Sequence, residues 1–140
     1  MVFKINVADK GKTIKFETDN EELIDKAIGE TIPGNLISAD LEGYELEIRG
    51  TSDKAGFPGF KNIDGSALKK VLLSYGPGMH KQPKGLYKKK FRSPEGLKMR
   101  KTIRGKIISA DTVQINTSVV KEGTKKFQDM LPKKEEKAAQ

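Results

Sequence analysis

The 140-residue sequence predicts a mainly β protein, a small pseudo-two-fold β-barrel with one short helix and long basic loops. Three observations carry this prediction. Short stretches alternate apolar and polar residues between glycine-rich turns, a single brief stretch has helical spacing, and one segment recurs within the chain.

The elements follow in order. Val2–Val7 alternates, with Phe3, Ile5 and Val7 on one face, and reads as a strand. A-D-K-G-K supplies a turn, and Thr13–Glu17 returns with Ile14 and Phe16 inward. Thr18–Glu21 fits a capping box ahead of a helix over Glu21–Ile28, whose Leu23, Ile24, Ala27 and Ile28 share one face, with Gly29 to close it. Asn35–Ser38, Tyr44–Arg49, Lys69–Leu73, Tyr87–Phe91, Thr102–Ser109 and Val113–Val120 read as further strands. Phe3, Ile5, Phe16, Leu23, Ile28, Leu36, Ile48, Leu72, Ile107, Ile115 and Val119 are expected in the core. Residues 1–130 are expected to form a single domain, and 131–140 (L-P-K-K-E-E-K-A-A-Q) a disordered polar tail.

The recurring segment is T-I-P-G-N-L-I-S-A-D at Thr31–Asp40, which returns as T-I-R-G-K-I-I-S-A-D at Thr102–Asp111, identical at seven of ten positions. A further strand follows each copy, as a barrel of two matching halves requires. The differences point to function. Gly29, Glu30, Pro33 and Asn35 in the first copy correspond to Arg100, Lys101, Arg104 and Lys106 in the second. If both copies build one backbone, the fold does not need these four cations, and a binding role accounts for them.

Composition removes several function classes. With no cysteine there is no disulfide scaffold, thiol nucleophile or cysteine-based metal site. The single histidine, His80, excludes multi-histidine metal sites. His80 beside Ser74 and Tyr75 can be written as a base with a nucleophile, but no carboxylate lies nearby in sequence and the loop is rich in glycine and proline. No catalytic residue, metal or cofactor is therefore expected. No apolar run approaches the roughly 18 residues of a membrane span, so a soluble, intracellular protein without a membrane partner is expected.

The formal net charge of +8 is unevenly spread. Residues 1–60 carry net −5, whereas residues 77–106 carry 11 basic side chains against one acid, Glu95. This segment holds Lys81, Lys84, Lys88, Lys89, Lys90, Arg92, Lys98, Arg100, Lys101, Arg104 and Lys106, interleaved with glycine, proline, Tyr87 and Phe91. Such a run repels itself unless a polyanion screens it, glycines let backbone approach phosphate, and aromatic rings stack on unpaired bases. These eleven cations are the candidate nucleic-acid ligands.

After the Tyr44–Arg49 strand comes I-R-G-T-S-D-K-A-G-F-P-G (Ile48–Gly59). Gly50, Asp53, Gly56 and Pro58 mark a structured loop: glycines for unusual backbone, an aspartate for turn amides, a proline of fixed φ. It has neither the lysine–threonine pair of a P-loop nor dinucleotide-fold glycine spacing, so no small-molecule substrate is expected. Here the chain resembles the ribosomal protein S6e family of archaeal and eukaryotic small subunits. That family carries G-G-x-D-x-x-G-x-P-M after an aliphatic and a small or basic residue. Ile48, Arg49, Gly50, Asp53, Gly56 and Pro58 fit, while Thr51 and Gly59 depart from it. V-L-L-S-Y-G-P-G (Val71–Gly78), M-R-K-T-I-R-G-K-I-I (Met99–Ile108) and V-Q-I-N-T-S-V-V-K-E-G (Val113–Gly123) extend the likeness over most of residues 1–125.

The resemblance implies a barrel-like constituent of the small subunit that binds ribosomal RNA near the subunit's foot, beside other ribosomal proteins. The family's basic R-K-x-V/I-R-G segment falls on Arg100, Lys101, Ile103, Arg104 and Gly105, and Lys81 and Lys84 fall in its basic stretch after G-P-G. Met79-His80 departs from the family there. The long phosphorylated helix of eukaryotic members has no counterpart, so the likeness is to the compact archaeal form. A small barrel DNA-binding regulator is the alternative; against it, the one expected helix is acidic.

Overall fold

The computed structural model describes residues 2–81 and 95–131. Among the described residues there are seven strands: β1 (Phe3–Asp9), β2 (Lys12–Thr18), β3 (Thr31–Pro33), β4 (Glu45–Asp53), β5 (Leu68–Ser74), β6 (Lys98–Arg104) and β7 (Thr112–Lys121). Five form one sheet in the order β2-β1-β7-β4-β3, and β5 and β6 form a separate antiparallel ribbon. Among the described strands, only β1 and β7 pair in parallel. The chain is thus mainly β as expected, but its sheets are not closed into a barrel: β2 and β3 end the five-stranded sheet without pairing to each other. β7 ties the second half of the chain to β1 and β4 of the first, and single bridges, Gly59 to Arg104 and Ala27 to Ile107, attach the end of the ribbon and the segment after it.

The alternation read in the sequence produces the core. Phe3, Ile5 and Val7 of β1, Leu46 and Ile48 of β4 and Ile115 of β7 are buried together with Ile14, Leu23, Ile28, Ile32, Ile37, Leu41, Tyr44, Ile108 and Phe127. Phe16, Leu36 and Val119 pack against this cluster half-buried, and Ile107 is likewise half-buried. Leu72 is a correction, for it is 60% exposed. It stands opposite Arg100 on the ribbon, whereas the inward face at that end is formed by the adjacent register positions Val71–Lys101 and Leu73–Met99. A one-residue phase error moves a strand residue to the other face.

Two elements also differ from expectation. The helix over Glu21–Ile28 is a single 3₁₀ turn, Glu21–Leu23, capped by Asn20, whose side chain accepts from the Glu22 amide. The chain then turns extended at Ile24 and left-handed at Asp25 (φ 68°). The reason is tertiary. The Asp25 and Ile28 amides donate to Ile108 and Lys106 carbonyls at 3.1 and 2.9 Å, and the Ile108 amide returns a bond to Lys26. A helix this short has little stability of its own, and strand-like pairing overrides it. Asn35–Ser38 is likewise no strand, since Gly34–Leu36 is a 3₁₀ turn. The expected strand over Tyr87–Phe91 and the tail from 132 onward lie outside the described residues.

The repeat is visible in three dimensions. Ile32 and Ile103, Gly34 and Gly105, and Ile37 and Ile108 are buried at equivalent positions. The strands that follow the two copies, β4 and β7, are antiparallel neighbours, as two elements related by a local two-fold axis are. Both glycines are required by close approach. A Cβ on Gly34 would lie 2.2 Å from the Leu41 carbonyl oxygen, and one on Gly105 would lie 1.9 Å from that of Gly65.

Candidate nucleic-acid interface

The glycine loop is built on Asp53, the last residue of β4. Its carboxylate is 1% exposed, and one oxygen accepts from the Phe57 amide at 2.8 Å. The Asp53 amide donates to the Phe57 carbonyl at 3.1 Å, and Gly56, with φ 87°, donates to the Asp53 carbonyl. The loop is thereby closed on itself. Gly59 donates to Thr51, and a Cβ on Gly50 would meet no atom within 4 Å.

The other Asp53 oxygen accepts from Arg104 Nε at 2.9 Å. Arg104 also donates through Nη1 to the Ser66 carbonyl at 3.1 Å and lies 3.6 Å from Asp111. Its backbone amide donates to Pro58, and its carbonyl accepts from Phe60. Asp53 and Arg104 therefore lock the glycine loop to the end of β6. This corrects the expectation that the fold can dispense with all four cations of the second repeat. Pro33 takes the matching place in the first copy without any such partner, but the second copy uses Arg104 structurally.

Lys106 is also engaged, with Nζ 2.7 Å from Asp64. The Lys106 hydrogen bond, aided by its charge, holds the Asp64 carboxyl below its ordinary value of 3.8. Lys54, 3.0 Å from Asp111, lowers that carboxyl in the same way, chiefly through its hydrogen bond. The strand expected over Thr102–Ser109 stops at Arg104, the last residue of β6, and Gly105 carries the chain down beside Gly65.

The remaining described cations are disposed differently. Lys98 and Arg100 are exposed and share one ribbon face with Lys70, while the half-buried Lys101 lies on the opposite face. Lys81 is exposed beside His80. Among the described residues, none of Lys70, Lys81, Lys98, Arg100 and Lys101 has a carboxylate within 4.0 Å. Lys84, Lys88, Lys89, Lys90 and Arg92 lie outside the described residues.

A groove of about 590 Å³ brings three sequence segments together: Gly56, Phe57 and Pro58 of the glycine loop, Gly78 and His80 after β5, and Arg100, Lys101 and Thr102 of β6. Twenty positions apart in each case, these segments read in the sequence as independent features. Phe57, Thr102 and Lys70 had no signal of their own; Lys70 is revealed only by its register opposite Thr102. A somewhat larger hollow between Ile14 and Met130 has no excess of one sign, since its Lys125 is paired to Asp40 at 2.5 Å and Lys126 lies on the same rim as Asp129. Among the described residues no cluster of three or more acidic or histidine side chains could hold a metal ion. No described helix is long and apolar enough to cross a membrane.

Fold and groove define a small, mainly β protein with a ribbon that presents Lys70, Lys98, Arg100 and Lys101 beside Lys81; Lys4, Lys12, Lys15, Lys26, Lys61 and Lys126 also lack a carboxylate within 4.0 Å among the described residues, but lie outside this groove. Residues 1–132 match the family described as Ribosomal protein S6e, and the chain belongs to that family. It is similar to the small ribosomal subunit protein eS6 of Methanococcus maripaludis (strain C5), with 42% identity over 126 residues, 89% of this chain and 91% of that one. The protein of the same name from Methanocaldococcus jannaschii is 42% identical over 91% of this chain and 89% of its own. That from Methanothermobacter thermautotrophicus is 40% identical over 97% of this chain and the whole of its own length.

Proposed function

We propose that this protein is a structural constituent of the small ribosomal subunit in the cytoplasm, where it binds ribosomal RNA and adjoins other ribosomal proteins. The observation that carries the RNA reading is the division of labour among the cations. Arg104 and Lys106 are consumed by Asp53 and Asp64, whereas Lys98, Arg100 and Lys101 on the same strand have no carboxylate among the described residues. Cations left without partners beside a glycine-lined groove suit phosphate, which takes charge without demanding sequence. Lys81, Lys84, Lys88, Lys89, Lys90 and Arg92 extend this surface on the strength of their charge. Gly50, Asp53, Gly56 and Pro58, with Arg104, shape it.

We read residues 1–130 as a single domain in which the two repeat copies, each with the strand that follows it (β4 and β7), form the pseudo-symmetric halves, followed by a polar tail at 131–140. The role is architectural, with no catalysis. The DNA-binding alternative still lacks a recognition helix, since residues 21–28 do not form a helix and no described helix exceeds four residues.

The test is incorporation. A K98A/R100A/K101A variant of the full chain, expressed in a cell whose own copy is tagged, should co-sediment with small subunits far less than wild type, with the loss growing as salt rises. Incorporation equal to wild type across the salt series would overturn the assignment.

A further inference from the structure

The open edge of β6 offers more than charge. The Arg104 amide and carbonyl bond outward to Pro58 and Phe60 and so point away from β5. Backbone groups of a strand alternate between its two edges, so the amides and carbonyls of Thr102 and Arg100 point the same way. Among the described residues these four groups have no backbone partner. The glycine loop cannot cover them, because its bonds to Asp53 turn Gly56 and Phe57 back toward β4. A wedge therefore opens between Gly56–Pro58 and Arg100–Thr102, and Gly78 and His80 close its end.

We propose that this wedge receives an unpaired nucleobase of RNA, with its ribose-phosphate on Arg100 and Lys101. The inference rests on the RNA-binding reading above and specifies it. A phosphate alone would meet two carbonyl acceptors as well as two amide donors, and the carbonyls repel it. A base edge presents donors and acceptors together and satisfies both, while its faces can lie against the rings of Phe57 and His80. The groove's volume is within the range of sites that enclose a small ligand. An extended peptide would satisfy the same strand edge, but the two cations at the wedge favour an anionic backbone.

The experiment uses the full chain labelled with ¹⁵N. Uridine and adenosine 5′-monophosphate should move the Arg100 and Thr102 amide resonances, whereas inorganic phosphate at the same concentration leaves the Thr102 amide in place. Equal effects from phosphate would overturn base insertion. A single-stranded RNA of about twelve nucleotides should bind at least about tenfold tighter than a duplex of that length at one salt concentration, a preference worth about 1.4 kcal/mol. Equal affinities would overturn the insertion while leaving the RNA surface standing. Failure of both RNAs to bind would overturn that surface as well.

The Thr102→Pro change removes one outward amide without touching a β5–β6 bond, and should abolish the single-strand preference with duplex affinity unchanged. If this variant does not fold, Phe57→Ala should lower the same preference severalfold; a preference intact in the folded variant counts against the wedge. Resonance changes produced by an acidic hexapeptide but by no nucleotide would give the edge to a protein partner and overturn the proposal.

Discussion

Arg104 Nε and the buried carboxylate of Asp53 are 2.9 Å apart, joining the strand that carries the free cations to the loop that faces them. The two residues are 51 positions apart in sequence. Each is half of the other's burial, since Arg104 is only 13% exposed. Removing one partner strands the other charge away from water.

Arg104 and Arg100, four residues apart, are therefore expected to fail in different ways. Arg104→Ala should lower unfolding free energy by about 3–5 kcal/mol, the usual cost of breaking a buried pair. Arg100→Ala should leave stability within about 0.5 kcal/mol, as surface changes do, and weaken RNA binding. Urea denaturation with parallel RNA titration separates the two. Equal stability of both variants would remove Arg104 from the scaffold.

Binding to isolated ribosomal RNA should fall steeply with salt, because each neutralised phosphate releases a counterion. Neutralising Lys98, Arg100 and Lys101 one at a time should lower the slope of log K against log salt by about 1 each. Lys106→Ala should change it less, since its Nζ is 2.7 Å from Asp64. Fluorescence anisotropy at four or more salt concentrations reads the slopes. Equal slopes for Lys106→Ala and Arg100→Ala would contradict the division among cations.

The two repeats predict matching packing defects. Gly105→Ala would drive a methyl group into the Gly65 carbonyl, and Gly34→Ala into that of Leu41. Backbone cannot yield as a side chain can, so each change should destabilise by about 3 kcal/mol or more. Gly50→Ala meets open space and should cost under about 1 kcal/mol. Thermal melts of the three variants make the comparison, and a tolerated Gly105→Ala would disprove the close approach.

Strands were legible where one face is buried, because period-two alternation survives without neighbours: β1, β4 and β7 lie within a few residues of their expected bounds. The segment at 21–28 misled because its helical spacing is real, yet its backbone bonds go to residues 106–108, eighty positions away. No local pattern encodes such a partner. The repeat located Arg104 but not its use, since charge alone does not distinguish a cation facing solvent from one facing Asp53. The glycine loop, the turn after β5 and the basic strand were each legible, whereas the groove they form is a product of tertiary contact.

Acid should loosen the rim of this site before the core. Asp64 and Asp111 have carboxyls held below 3.8 in the folded protein by Lys106 and Lys54. Folding lowers their pKa, so the stabilisation they give is present above the unfolded value and is lost as pH falls through the folded one. The groups are on the surface, and the effect should be local. Protection of the Lys106 amide, bonded to Ile63, and of the Lys54 amide, bonded to Asp111, should fall as pH drops below the ordinary carboxyl value of 3.8. Amides of β1 and β7 should remain protected through the same range. Asp64→Asn should remove the step at Lys106 and leave that at Lys54, read by hydrogen exchange at each pH. Simultaneous loss of protection at all these amides would show instead that the two ion pairs and the core unfold as one unit.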